Sequence, residues 1–230
     1  MIILMIIYVI VYSNHKFVYY PLFKYDNIKN KFRTGDLIMF SCAVNSGILH
    51  DTASFFYKKM NRSNYGHTGM VIKINDILYI VEFCSQDHVG SNYAVHLNES
   101  GKGGVRLMKL DDCIREYYEK YNGTFAAKYL SYSLDPNYVL LLLEQYKDYT
   151  FRNRSEIAQI GLLSLIYDKE NIKYDSTKMV CTEFIHSILN KCGVLKNYPS
   201  HLFFPHHIYD KKYNYLQNIK YSDAQLFIYK

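Results

Sequence analysis

The stretch that most constrains the fold covers residues 63–83 and reads SNYGHTGMVIKINDILYIVEF. Two apolar runs flank the pair Asn75-Asp76, a pattern typical of two strands joined by a two-residue turn. If that pair forms the turn, residue 74 pairs with 77, 69 with 82, and 67 with 84. The sequence therefore predicts an antiparallel hairpin with a defined register.

One face of this hairpin is predicted to carry polar groups. Side chains alternate across a strand, and this places four residues together: His67, Gly69, Glu82 and Cys84. His67 and Glu82 become diagonal neighbours, close enough for long side chains to meet, and Gly69 leaves room for that contact. Two interpretations stay open. Either His67 and Glu82 form a structural pair that only meets each other's hydrogen-bonding needs inside the sheet, or the carboxylate orients the imidazole as a catalytic base.

Length and charge set the general class. A chain of 230 residues is long enough for one domain with a substantial core. Hydrophobic residues make up 49% and charged residues 21%, which excludes general disorder. The net charge of +6 is spread without a basic run or a nucleic-acid motif, so we expect no nucleic-acid partner.

The cysteines indicate a reducing environment. Their odd number and irregular spacing argue against a disulfide framework, and they lie at Cys42, Cys84, Cys113, Cys181 and Cys192. The chain contains no CxxC pair, which argues against a structural zinc site. We therefore expect free thiols, no bound metal and no cofactor.

The first 12 residues, MIILMIIYVIVY, form an uncharged apolar run. The run is shorter than the ~20 residues that cross a bilayer squarely, and it lacks the flanks of a signal peptide. It predicts either a membrane anchor within residues 1–20 or an element buried against the domain. If the run is an anchor, the protein is expected to be membrane-associated. If the run is buried, the protein is expected to be intracellular in a reducing compartment.

Strand patterns precede helix patterns along the chain, which predicts an α+β fold with an antiparallel sheet packed against helices. We assign the domain to residues 32–210 and a C-terminal tail to 211–230. The predicted strands are GDLIMF, the hairpin and VRLMKL, and the tail offers a further short strand. The predicted helices lie near 52–59, in DDCIREYYEKY, PNYVLLLLEQYKDY and IAQIGLLSLIY, and in MVCTEFIHSILNKCG, which is closed by Gly193.

The predicted helix MVCTEFIHSILNKCG carries Cys181, a candidate nucleophile. Helical phasing places Cys181 on the apolar stripe within the first turn, after Ser176 or Thr177 as the expected N-cap. The positive end of the helix dipole favours a thiolate there, and a backbone N–H at the same end could stabilise an oxyanion. Alternatively, Cys181 is a small buried hydrophobe.

The order GDLIMF, GHTGMVI, YIVEF and MVCTEFI resembles the circularly permuted branch of the NlpC-type papain-like cysteine hydrolases, the YiiX/YebB-like proteins. The resemblance covers short motifs between Gly35 and Cys192. It implies a papain-like fold in which the cysteine-bearing helix comes late. It also implies a catalytic site with Cys181 as nucleophile, His67 as general base and acid, and Glu82 as the orienting residue.

These residues suggest a cysteine hydrolase that cleaves an amide or ester bond through an acyl-enzyme intermediate. The expected substrates are peptides, lipids or lipopeptides, and the apolar N-terminus favours the last two. Three alternatives remain: an acyltransferase, a non-catalytic protein that binds lipid or acyl groups in the same cleft, and a structural protein in which His67 and Glu82 form only a buried pair.

Overall fold

A computed structural model of the protein describes residues 22–41, 65–85, 94–96, 103–153, 155–157, 159–160 and 175–230. The apolar run at residues 1–12 and the helix predicted near 52–59 lie outside these ranges. Most of the helix predicted at IAQIGLLSLIY does so too. In the described part of the chain, no helix is long and apolar enough to cross a membrane.

The hairpin forms with the predicted register. Strands β3 (His67–Ile74) and β4 (Ile77–Cys84) are antiparallel, and Gly69 pairs with Glu82. Both turn residues have positive φ, 48° at Asn75 and 62° at Asp76. That combination defines a type I′ turn, in which asparagine and aspartate are favoured because they tolerate left-handed backbone.

The hairpin lies at the centre of a larger sheet. Its strand order is β1-β10-β7-β2-β3-β4-β6-β5, with antiparallel neighbours except for the parallel pair β1 and β10. The other strands of this sheet are β1 (Phe23–Lys24), β2 (Leu37–Ser41), β5 (Ala94–His96), β6 (Gly104–Lys109), β7 (Thr124–Lys128) and β10 (Gln225–Ile228). A separate parallel pair consists of β8 (Thr150–Phe151) and β9 (Lys178–Met179).

The described helices alternate with the strands along the chain, and the predicted α+β fold class is confirmed. They are α1 (Tyr25–Ile28), α2 (Leu110–Tyr121), α3 (Pro136–Leu143), α4 (Cys181–Lys191) and α5 (Pro205–Tyr209). Short 3-10 segments lie at Lys29–Lys31, Glu144–Tyr146, Ser200–Leu202 and Lys211–Leu216. Pro136 begins α3 as predicted, with the Asp135 carboxylate accepting from the Asn137 N–H at 2.9 Å.

Helices cover both faces of the sheet. Alternation along β3 sends Met70 and Ile72 into the core under α3 and α4, and sends Val71 to the core under α2. Along β4, Phe83 faces α4 whereas Ile80 faces α2. His67 and Glu82 share the parity of Val71 and Ile80, so their side chains lie on the α2 face.

The C-terminal segment contributes to the sheet. The strand expected in the tail is β10, and it lies between β1 and β7 rather than at an edge. Phe227 of this strand is fully buried and stacks on Phe125 of β7, with ring centroids 5.1 Å apart. Burying an aromatic side chain of this size stabilises the fold by about 2–3 kcal/mol.

Candidate functional site

His67 and Glu82 form the contact that the hairpin register predicts. Nε2 of His67 lies 2.5 Å from Oε2 of Glu82. The glutamate side chain is fully buried and the histidine side chain is 15% exposed. A carboxylate held this close fixes the orientation of the ring and leaves Nδ1 as the ring nitrogen free to face another group.

The space beside Gly69 serves a different purpose from the one predicted. A Cβ added to Gly69 would lie 2.7 Å from Cδ1 of Ile80 and 3.1 Å from the Val81 carbonyl oxygen. The missing side chain is therefore needed for the packing of Ile80.

Arg106 binds the other carboxylate oxygen of Glu82. It is the cross-strand partner of Glu82 on β6, and its Nε donates to Glu82 Oε1 at 2.7 Å. Its Nη2 also contacts Oε1, and its Nη1 lies 3.5 Å from Glu116 Oε2. Both Arg106 and Glu82 are fully buried, so each needs the opposite charge of its partner to stay ionised away from water.

Helix α2 completes the surroundings of the carboxylate. Tyr117 directs its hydroxyl to Glu82 Oε2 at 3.4 Å, and Cys113 places Sγ 3.9 Å from Oε1. The Tyr117 ring also stacks on the His67 imidazole, at 5.8 Å between centroids and an interplanar angle of 13°. Phe40 of β2 packs against the same imidazole at 5.3 Å. The His67 ring is thus held by Glu82 on β4, Phe40 on β2 and Tyr117 on α2.

Cys181 is the first residue of α4, and its sulfur is close enough to His67 to raise the pKa of the imidazole. The helix begins later than predicted. Residues 176–177 form a turn, Lys178 and Met179 form β9, and Val180 is the N-cap. The prediction of Ser176 or Thr177 as N-cap is wrong because strand pairing with β8 holds residues 178–179 extended. The consequence favours the site, since Cys181 then lies at the positive end of the dipole.

Charge in the site raises the pKa of His67 to about 10. Burial opposes the charged imidazolium, but the negative charges of Cys181 and Glu82, together with their hydrogen bonds to the ring, outweigh it. This raised pKa favours the imidazolium form of His67 at neutral pH. With Nε2 directed to Glu82, the proton on Nδ1 is the one available to Cys181.

A second buried ion pair fixes the start of α4. Glu183 accepts from the Val180 N–H at 2.6 Å, and Arg152 Nη2 lies 3.3 Å from Glu183 Oε1. Arg152 Nη2 also donates to the Lys178 carbonyl at 2.6 Å. Burial raises the pKa of Glu183, and Arg152 and the Val180 N–H oppose that rise. These contacts hold the chain on both sides of Cys181.

The other described thiols lie in different settings. Burial, followed by the charge of Glu82, raises the pKa of both Cys84 and Cys113, which favours protonated thiols. Cys192 ends α4 at the negative end of its dipole, and burial raises its pKa to about 11. Cys42 lies outside the described residues. Cys181 is the only described thiol that has both an imidazole partner and a helix N-terminus.

Within the described residues, one group has the residue types and spacing to hold a metal ion. A ring nitrogen of His67, a carboxylate oxygen of Glu82 and Sγ of Cys84 lie within 4.8 Å of one another. Glu82 is already neutralised by the Arg106 guanidinium, and the Cys84 thiol is held protonated. A cation at this position would have to overcome both, because metal ligands must be deprotonated and carry compensating charge.

Sequence reasoning predicted part of this site. The structure brings together Cys181, His67 and Glu82, the three candidate residues. Arg106, Tyr117 and Cys113 were not predicted as members. A single arginine inside the apolar strand VRLMKL was the available signal for Arg106, because a charge on a buried strand needs a counter-charge. Tyr117 and Cys113 share one face of α2 at i, i+4 spacing.

Comparisons with known proteins find similarity to a viral protein and to a solved bacterial structure. No family model matches the chain. An uncharacterized protein, R372, of Acanthamoeba polyphaga mimivirus is 29% identical over 213 residues, which span 89% of this chain and 85% of that protein. The crystal structure of metalloprotein yiiX from Escherichia coli O157:H7 is similar with a TM-score of 0.36 and 18% sequence identity. That comparison covers 84% of this chain and 88% of the other.

Proposed function

We propose that the protein is a cysteine hydrolase that cleaves an amide or ester bond, with Cys181 as nucleophile, His67 as general acid and base, and Glu82 as the orienting residue. The observation that supports this proposal most strongly is that Cys181 and Glu82 both interact with the His67 imidazole, Glu82 through a contact of 2.5 Å to Nε2. A thiol, an imidazole and a carboxylate in this order are the groups that nucleophilic acyl transfer requires.

In the first half of the reaction, the Cys181 thiolate attacks the carbonyl carbon of the substrate. The N–H groups of the first turn of α4 lack intrahelical acceptors, and the N–H of Cys181 is positioned next to its own sulfur to stabilise the oxyanion. The His67 imidazolium then protonates the leaving nitrogen or oxygen, and a thioester on Cys181 results.

In the second half, neutral His67 takes a proton from water, and the resulting hydroxide attacks the thioester carbonyl. The carbon–sulfur bond breaks, the acid product leaves, and Cys181 returns to its paired thiolate. Glu82 stabilises the imidazolium in each half of the reaction without accepting its proton. The positive charge of Arg106 keeps the Glu82 carboxylate ionised. If an alcohol or amine replaces water, the same steps produce an acyltransferase.

The substrate class is an acyl group of a peptide, a lipid or a lipopeptide. The apolar run at residues 1–12 supports a lipid-containing substrate, because it provides a means to approach a membrane surface. The same Cys181–His67–Glu82 chemistry cleaves an ester or an amide.

An activity-based thiol probe with an acyl-mimetic electrophile tests this proposal. We expect it to label the wild type and Cys192→Ala at Cys181 and to leave Cys181→Ala unlabelled. Cys192 is the matched control because it terminates the same helix at the opposite end. Unchanged labelling of Cys181→Ala would refute Cys181 as nucleophile. Turnover should then be measured on short- and long-chain acyl esters and on N-acyl amides.

The rate measurement should include His67→Ala, which we expect to lower turnover by about 10²–10⁴-fold because a general acid and base is lost. If no ester or amide is cleaved while acyl chains are retained equally by the wild type and Cys181→Ala, the protein is a non-catalytic binder of acyl groups.

A further inference from the structure

Tyr117 of α2 is a buried polar residue that the mechanism above does not use. The residue is 2% exposed, and its hydroxyl lies 3.4 Å from Glu82 Oε2. The ring of the same residue stacks on the His67 imidazole. One side chain therefore contacts both the proposed base and the residue that orients it.

The rings of Tyr117 and Phe40 border the imidazole of His67. Between ring centroids, Phe40 lies 5.3 Å and Tyr117 5.8 Å from the imidazole, and the two rings lie 4.4 Å from each other. The plane of Tyr117 is 13° from that of the imidazole, whereas Phe40 is tilted by 51°. Rotation about the Cβ–Cγ bond of a histidine has only broad preferences, so strand β3 alone does not fix the imidazole plane. The nearly parallel ring of Tyr117 restricts it.

The hydroxyl of Tyr117 is a second donor to the carboxylate oxygen that His67 contacts. Nε2 of His67 lies 2.5 Å from Glu82 Oε2, the atom to which Tyr117 donates, while Nε of Arg106 donates to Oε1. Hydrogen bonds to an ionised carboxylate stabilise its charged form. Tyr117 therefore helps to keep Glu82 ionised and the proton on Nε2 of His67, which leaves Nδ1 for proton exchange with the nucleophile.

We propose that Tyr117 is a positioning residue for the reaction and that it acts through His67. Its ring holds the imidazole plane so that Nε2 stays on Glu82 Oε2, and its hydroxyl stabilises that carboxylate as an anion. The inference rests on the proposed function, because the orientation of His67 matters for catalysis only if His67 is the general acid and base. The His67–Glu82 contact itself can be measured without turnover.

A tyrosine that only fills space makes a different prediction. A buried tyrosine hydroxyl needs a hydrogen-bond partner in any protein, and replacing such a residue would leave the His67–Glu82 contact unchanged. Two replacements separate the parts of the side chain. Tyr117→Phe removes the hydroxyl and keeps the ring, whereas Tyr117→Leu removes both.

The proton between Nε2 of His67 and Oε2 of Glu82 provides the test. A short, charge-assisted hydrogen bond moves its proton far downfield in a proton NMR spectrum, and His67→Gln assigns the signal by removing it. We expect this signal in the wild type at neutral pH. Tyr117→Phe should keep it and move it further downfield, because Oε2 loses its second donor and becomes a stronger acceptor. Tyr117→Leu should lose it to exchange with water, because the imidazole is no longer held.

Tyr118→Leu is the matched control. It makes the same replacement at the next position of α2, where the ring packs on Tyr229 at 5.5 Å between centroids, and it should keep the signal at its wild-type position. The rate at which the thiol probe labels Cys181 is the second readout. Tyr117→Leu should lower that rate by about 10–100-fold and Tyr117→Phe by no more than about threefold, because a displacement of about 1 Å in a catalytic group costs up to about 10²-fold.

An unchanged signal in Tyr117→Leu, or no downfield signal in the wild type, would overturn the inference. If Tyr117→Leu does not fold, Tyr117→Phe decides, since a signal that stays at its wild-type position or disappears contradicts the roles assigned to the hydroxyl and the ring. Probe labelling separates the two proposals. A wild-type Cys181 that the probe does not label refutes the hydrolase, whereas a labelled wild type with a signal insensitive to Tyr117→Leu refutes only the role of Tyr117.

Discussion

Replacing Arg106 should reveal how strongly the site depends on its buried ion pair. In Arg106→Gln, the Glu82 carboxylate loses its guanidinium partner while both positions remain fully buried. Two contacts to Oε1 disappear, one from Nε at 2.7 Å and one from Nη2. Glu82 then keeps His67 as its remaining cationic partner.

Two independent estimates give the size of the effect. A hydrogen bond to a charged group contributes about 1.5–3 kcal/mol, and Nε of Arg106 makes one to Oε1. Removing one member of a buried ion pair destabilises a protein by about 3–5 kcal/mol. We therefore expect the free energy of unfolding to fall by about 3–5 kcal/mol. At about 2–4 °C per kcal/mol for a domain of this size, Tm falls by about 6–20 °C.

Arg115→Gln is the matched control. Arg115 lies on α2 and pairs with Asp112 at i, i+3, where the two side chains are 39% and 21% exposed. A partly exposed pair of this kind contributes about 0.2–1 kcal/mol, so Tm should fall by no more than about 4 °C. Arg106→Lys should fall between the two variants, because lysine keeps the charge but lacks the planar fork that contacts Oε1.

Urea unfolding monitored by circular dichroism gives the free energy of unfolding of the three variants. The values can be compared if the m-values agree. Arg106→Gln and Arg115→Gln losing the same free energy, within about 0.5 kcal/mol, would refute the reasoning. The charge on Glu82 would then be neutralised by something other than Arg106.

Three further predictions concern the hairpin, the base and the start of α4. Gly69→Ala should lose about 1–3 kcal/mol of unfolding free energy because the new Cβ overlaps Ile80, and Ile80→Val in the same chain should recover part of it; no recovery in urea unfolding would contradict this packing. The raised pKa of His67 stabilises the fold fully below about pH 6.5, and this stability is lost as pH rises through about 10, so the difference between wild type and His67→Gln should shrink over that window. A constant difference across pH would exclude a perturbed His67. Glu183→Gln should lose about 1–3 kcal/mol because Arg152 loses the Glu183 carboxylate as its buried ion-pair partner, and an unchanged urea midpoint would show that this pair does not hold α4.

The hairpin, and the face of it that carries His67 and Glu82, could be predicted because the information is local. Asn75 and Asp76 define the turn, and strand alternation then assigns every side chain to a face. The placement of Cys181 on the inner face of its helix followed from 3.6-residue periodicity in the same way. These two local patterns were sufficient to nominate all three candidate residues.

The groups that surround Glu82 could not be predicted from such patterns. Arg106 meets Glu82 because β6 pairs with β4, and strand pairing across a long connection leaves no periodic signal in one sequence. The position of β10 between β1 and β7 is equally non-local. The start of α4 was misplaced because pairing of β9 with β8 overrides the N-cap preference of Ser176 and Thr177.

The central claim is that Cys181 acts together with the His67 imidazole, and an NMR titration of the His67 ring tests it most directly. Imidazole nitrogen shifts should be recorded from about pH 5 to 11 in the wild type and in Cys181→Ala. We expect His67 to titrate near pH 10 in the wild type and at a distinctly lower pH in Cys181→Ala, because the largest source of negative charge beside the ring is removed. A wild-type His67 that titrates at its ordinary pKa, or one that is unaffected by the loss of Cys181, would contradict the account.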